Sequence, residues 1–81
     1  MRKLKKVRSR PRKGFLYRVI GYDNDGQQVG HADASNLAQA VFAQEMIYKA
    51  GEAATAVIYN TKGEVVGGHN LHIFKNLKKG R

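Results

Sequence analysis

Ser35 to Gly51 reads SNLAQAVFAQEMIYKAG, and the way this stretch is read decides the fold. At about 100° per residue, Leu37, Ala40, Val41, Ile47 and Tyr48 fall on one apolar stripe, interrupted by Gln44. Ala38, Ala40, Ala43 and Ala50 favour the helical backbone and let a neighbouring element approach closely. Ser35 is the expected N-cap, with Asp33 as the alternative, because a side-chain oxygen there can accept from an unpaired first-turn N–H. Ala38 stands three residues after Ser35, so that cap has no capping box. Gly51 follows the last periodic residue and suits the left-handed conformation that ends helices. Phe42 and Met46, four residues apart, fall well outside the stripe, and the polar sector around Glu45 and Lys49 is narrow. That pattern is read either as a partner surface or as a helix sunk deeply between its neighbours.

A hairpin pattern flanks the helix on each side. Gly14 to Tyr22 is predicted as a strand, with Phe15, Tyr17 and Val19 on one face and Leu16, Ile20 and Tyr22 on the other, Arg18 among them. Apolar residues on both faces mark a central strand. Asp23-Asn24-Asp25-Gly26 is a turn, with Gly26 at its positive-φ position, and Gln27 to Ala32 returns as a second strand weakened by Gly30. After the helix, Thr55 to Asn60 is a third strand, Thr61-Lys62-Gly63 a turn of the same kind, and Glu64 to Gly68 a fourth strand that can extend through Leu71 and Ile73. The expected fold is α+β: ββαββ, a four-stranded, largely antiparallel sheet packed on one helix. One helix covers one face, so the other face needs solvent-compatible residues or a cover of its own.

The charge is unevenly placed. Residues 1–13 carry Arg2, Lys3, Lys5, Lys6, Arg8, Arg10, Arg12 and Lys13, or +8. Residues 75–81 carry Lys75, Lys78, Lys79 and Arg81, or +4. Between them three cations face six carboxylates, leaving −3 on the body against +9 for the chain. The expected organisation is a basic disordered arm over 1–13, a ββαββ domain over 14–74 and a basic tail over 75–81. The folded part, about sixty residues, buries only about 60% of its chain surface and gains from dimerisation or ligand binding. There is no cysteine, which suits a reducing compartment such as the cytoplasm and leaves no disulfide framework or thiolate metal site. No apolar run approaches the roughly 20 residues of a membrane span, and no apolar signal core follows the basic N-terminus.

Catalytic patterns are weak. Asp23, Asp25 and Gly26 echo the start of a calcium loop, but its twelfth position is Ala34 where a Glu is required. His31, His69 and His72 suggest a zinc site only if strands two and four approach, and the fourth ligand would then be an Asp or water. Gly67-Gly68 precedes no helix, so it marks a bulge or bend and not a phosphate cradle. Tyr17, Tyr22, Tyr59 and Phe15 can stack on bases, but only Arg18 is basic within the strands, and core packing accounts better for at least two of these rings. No enzyme activity, cofactor or metal is expected.

The run AVFAQEMIYKAGEAATAVIYNTKGEVV, residues 40–66, resembles small uncharacterised ββαββ domains of bacteria and their phages, and the resemblance covers about residues 15–69. It implies the fold and carries no site residues. A fainter resemblance is to the arm-binding domains of phage integrases, which join a basic N-terminus to a Tyr/Arg-containing strand, a Gly turn and a helix. This chain differs in having a hairpin after the helix.

The function expected from these features is non-catalytic nucleic-acid binding, with duplex DNA favoured over RNA and affinity supplied by the arms, and with a smaller contribution from Arg18 of the acidic body. One alternative is a phage or bacterial module that binds a host protein through Phe42, Met46 and Tyr17. Another is association with RNA or the ribosome. A homodimer is possible under any of these, and membrane attachment is not expected. The arm read alone also fits a solubilising tail.

Overall fold

The computed structural model of the chain describes residues 10–50 and 53–71. Within them the order is β1 (Tyr17–Tyr22), β2 (Gln28–Ala34), α1 (Leu37–Lys49), β3 (Thr55–Tyr59) and β4 (Val65–His69). The strands form one antiparallel sheet in the order β2-β1-β3-β4, so β1 is central as its two apolar faces require. This is the ββαββ architecture expected from the sequence. Strand β2 runs on through Asp33 and Ala34, two residues past its expected end, because Ala34 pairs with Tyr17 at the start of β1.

Both hairpins turn in the same way. Asp23 Oδ1 accepts from the backbone N–H of Asp25 and of Gln27, each at 2.9 Å. Asn60 Oδ1 does the same for Lys62 at 2.9 Å and Glu64 at 3.0 Å. The short acceptor at the head of each turn holds the chain until Gly26 (φ 82°) or Gly63 (φ 77°) completes it in the left-handed region.

The helix is capped one residue later than expected. Asn36, not Ser35 or Asp33, is the N-cap, and its side chain accepts from Gln39 N–H at 2.9 Å. Gln39 reaches back to accept from Ser35 N–H at 3.0 Å. The two bonds resemble a capping box, but the return bond goes to Ser35, one residue before the cap, and not to Asn36 itself. Gly51, expected to end the helix, lies outside the described residues, and Ala50 is the C-cap.

The helix is also rotated from its expected seat. Ala40 is buried, with Ala43 and Ile47 packed beside it on Val19, Ala34 and Ile58. Leu37 and Val41, assigned to the buried stripe, are 49% and 43% exposed. The sheet explains the difference. Gly21 and Gly30 face each other across β1 and β2. A Cβ on Gly21 would overlap Ile47 Cγ2, and one on Gly30 would lie 3.7 Å from it. Two opposed glycines thus leave a notch, and the β-branched Ile47 fills it. Small Ala40 and Ala43 then let the helix lie close to the sheet.

The opposite face of the sheet is a second core. Ile20, Tyr22, Val57, Tyr59 and Val65 are buried there, with Leu71 packed against them. The two tyrosine hydroxyls hydrogen-bond each other at 2.8 Å. Burial, together with Tyr59's hydroxyl, pushes Tyr22 well above the ordinary phenol range, and burial raises Tyr59 as well. Both rings stay neutral, as a buried hydroxyl pair requires.

The notch gives a direct test. Gly21→Ala is expected to cost about 1–3 kcal/mol by overpacking. Placed in an Ile47→Ala background, the same change should cost much less, because Cγ2 is gone. Urea unfolding of the four chains of that cycle measures the coupling.

Candidate functional site

The basic arm joins the domain at a turn where the first strand was expected to begin: β1 starts at Tyr17 and not at Gly14. Phe15 N–H donates to Arg12 O at 3.0 Å across Arg12-Lys13-Gly14-Phe15, with Gly14 at φ 96°. Leu16 N–H donates to Ala34 O at 3.0 Å, tying this root to the end of β2. Arg10, Arg12 and Lys13 are exposed. Arg2, Lys3, Lys5, Lys6 and Arg8, with Lys75, Lys78, Lys79 and Arg81, lie outside the described residues. The described chain leaves at Leu71, just past His69, which pairs with Ala56 at the other end of the sheet. The described chain therefore enters beside one end of β1 and leaves near the level of its other end, six residues or about 20 Å along the strand.

Arg18 stands apart from these cations. It lies directly opposite Asp33 in the β1–β2 register. Its Nε donates to Asp33 Oδ1 at 2.9 Å and its Nη2 to Asp33 Oδ2 at 3.1 Å, a two-pronged ion pair with 8% and 11% of the two side chains exposed. The Arg12 backbone N–H also points at Asp33 Oδ1, at 3.4 Å. The Arg18 guanidinium, with desolvation opposing and the Arg12 N–H helping, holds the Asp33 carboxyl below its ordinary value. The geometry gives Arg18 a structural task, fastening β2 to β1 beside the arm root.

Tyr17, expected as a partner contact on the sheet beside the alternative Phe42 and Met46 surface, is half-buried against Val19, Ala34 and Ala40. Phe42 and Met46 are 69% and 56% exposed on the outer face of α1. The fold therefore does not bring the three together.

At the other end of the helix is a shallow pocket of about 150 Å³, lined by Gln44, Glu45, Tyr48, Lys49 and His69. The Tyr48 and His69 rings meet at 4.2 Å between centroids, tilted by 60°. Asn70, at φ 58°, donates to Tyr48 Oη and to Ala54 O, each at 3.3 Å. Gly68, at φ 147°, lets this end of β4 turn toward the helix. A Cβ there would overlap Ala56 O. The sequence puts Tyr48 on the apolar stripe of the helix and offers His69 only as a conditional metal ligand. The only signals that could have joined them are Gly68 and Asn70.

His31 hydrogen-bonds Gln28 at 3.1 Å on β2, the edge strand opposite the one that carries His69. Two strands separate these histidines, and His72 lies outside the described residues. Among the described residues no three His, Cys, Asp or Glu side chains cluster for a metal ion, and Asp23 is occupied by its turn. No described helix is long and apolar enough to cross a membrane. Comparison with protein-family models, curated proteins and solved structures finds no match.

The ion pair has a signed pH dependence. Because Asp33 is depressed in the folded state, its contribution is complete above its unfolded value of 3.8. It is lost as pH falls below that value and through the lower folded one. Asp33→Asn should cost about 2 kcal/mol at pH 7. The gap between the two proteins should close toward pH 2, as thermal or urea unfolding across that range would record.

Proposed function

We propose that this chain is a small non-catalytic nucleic-acid-binding protein that engages duplex DNA electrostatically through its basic arms. The observation that carries this reading is the segregation of charge: +8 in residues 1–13 and +4 in residues 75–81, against −3 between them. A run of that density attracts a polyanion, and each neutralised phosphate releases counterions without regard to base sequence. The exposure of Arg10, Arg12 and Lys13 at a root tied to the sheet supports an arm that starts from a fixed point. With Arg18 engaged by Asp33, the phosphate contacts are assigned to the arms and not to the sheet.

A second reading, a module that binds another protein, draws on one observation, the exposed apolar pair Phe42 and Met46. The two readings separate on deletion. Removing residues 1–13 takes away eight charges and leaves the chain at +1. The deletion spares every residue of both cores. If the arm makes about five phosphate contacts, the log–log salt slope of duplex binding should flatten by roughly 4 to 5. Titration against duplex DNA, duplex RNA and single strands reads both the slope and the preference. A truncated chain that binds duplex DNA as tightly as the full chain, with the same slope, would remove the arm reading.

A further inference from the structure

The sheet face turned away from α1 is buried as completely as the face beneath the helix. Ile20, Tyr22 and Val57 are 0% exposed there, as is Thr55, opposite Tyr22 in the register. Neighbouring strands screen such side chains from the sides only, so full burial needs a second layer above them. Among the described residues, the apolar side chain packed against this cluster from outside the sheet is Leu71, the last of them.

The exit of the chain is shaped to turn onto this face. The sequence allowed β4 to run on through Leu71 and Ile73, but the strand ends at His69. Thr55 Oγ1 donates to both His69 O and Asn70 O, which fastens that end to β3. Asn70, at φ 58°, takes the chain off the line of the strand. Leu71 then lies back over Gly68, where a Cβ would stand 2.7 Å from Leu71 Cδ2.

We infer that residues 72–77 continue from Leu71 across this face and close the second core, with Ile73, Phe74 and Leu77 set on Ile20, Val57 and Val65. The segment has the composition for it. At about 100° per residue its three apolar side chains fall within one arc about 100° wide, and Lys75 and Lys79 fall opposite. It also has the length. The six residues after Leu71, at about 1.5 Å each, span about 9 Å, or two strand spacings of about 4.8 Å, so a helical segment starting at β4 crosses β3 and reaches β1. The N-terminal arm is the poorer occupant. It offers Leu4 and Val7 among eight cations, and its root meets Asp33 on β2, at the opposite edge of the sheet. With the cover in place, Lys75 and Lys79 stand on the outside of a layer packed on the body and are not part of a free arm. The cover does not depend on what those cations bind.

The full chain, without nucleic acid, provides the test. Phe74 ring protons and Leu77 methyls should show nuclear Overhauser contacts to the methyls of Ile20 and Val57. An isotope-filtered experiment on an equal mixture of labelled and unlabelled chains should place those contacts within one chain. Phe74→Ala and Leu77→Ala should each lower the urea midpoint by about 1 M, while Leu4→Ala with Val7→Ala leaves it nearly unchanged. Contacts to Ile20 and Val57 from Leu4 and Val7 instead, or contacts that cross between two chains, would overturn the inference. So would the lack of any contact from residues 73–77, or Phe74→Ala and Leu77→Ala variants that unfold at the parent's urea concentration.

Discussion

Ile47 seated over the opposed pair Gly21 and Gly30 is the contact on which the rest of the arrangement turns. A sheet normally presents a pleated surface of Cβ atoms, and a helix finds its rotation by fitting ridges to that surface. Here two facing positions have no Cβ, and the helix drops a branched side chain into the gap. Ala40 and Ala43 then lie against the sheet, and the larger Leu37, Val41, Phe42 and Met46 are left outside. One notch in β1 and β2 thus determines both how closely the layers pack and which face of the helix meets water.

The same sheet separates structural charge from exposed charge. Arg18 and Asp33 face each other one strand position from the arm root, and their two hydrogen bonds close the part of the sheet where β2 hands over to the helix. The arm begins beyond the turn at Gly14, and its described cations, Arg10, Arg12 and Lys13, are exposed. In the nucleic-acid reading, this division leaves an acidic body as a holder and basic ends as the grip.

Much of the fold was legible because its signals are local. The DNDG and NTKG turns each pair a short acceptor with a glycine, and both hairpins turn there. The two apolar faces of β1 foretold a central strand, and Tyr22 and Tyr59 do pack as core rings, in a second core on the face the helix leaves uncovered. What escaped depends on register. Nothing in the spacing of Gly21 and Gly30 says that they are opposed, so helical periodicity alone puts Leu37 and Val41 in the buried stripe. Arg18 reads as a lone cation until the pairing sets Asp33 opposite it. The Tyr48–His69 pocket needs the left-handed turn at Gly68 and Asn70, and the sequence offers only those two residues as a hint. The arm cations were plain as a charge run, and their number carries the functional reading more than any fold feature does.

The most direct measurement is a nuclear Overhauser experiment on the full chain with labelled Ile, Leu and Val methyl groups. With Ile47 in the notch, its Cγ2 methyl should give strong contacts to the α-protons of both Gly21 and Gly30, while Leu37 and Val41 methyls give none to either. Contacts from Val41 or Leu37 to those glycines, with Ile47 silent, would contradict the seating of the helix and everything drawn from its exposed face.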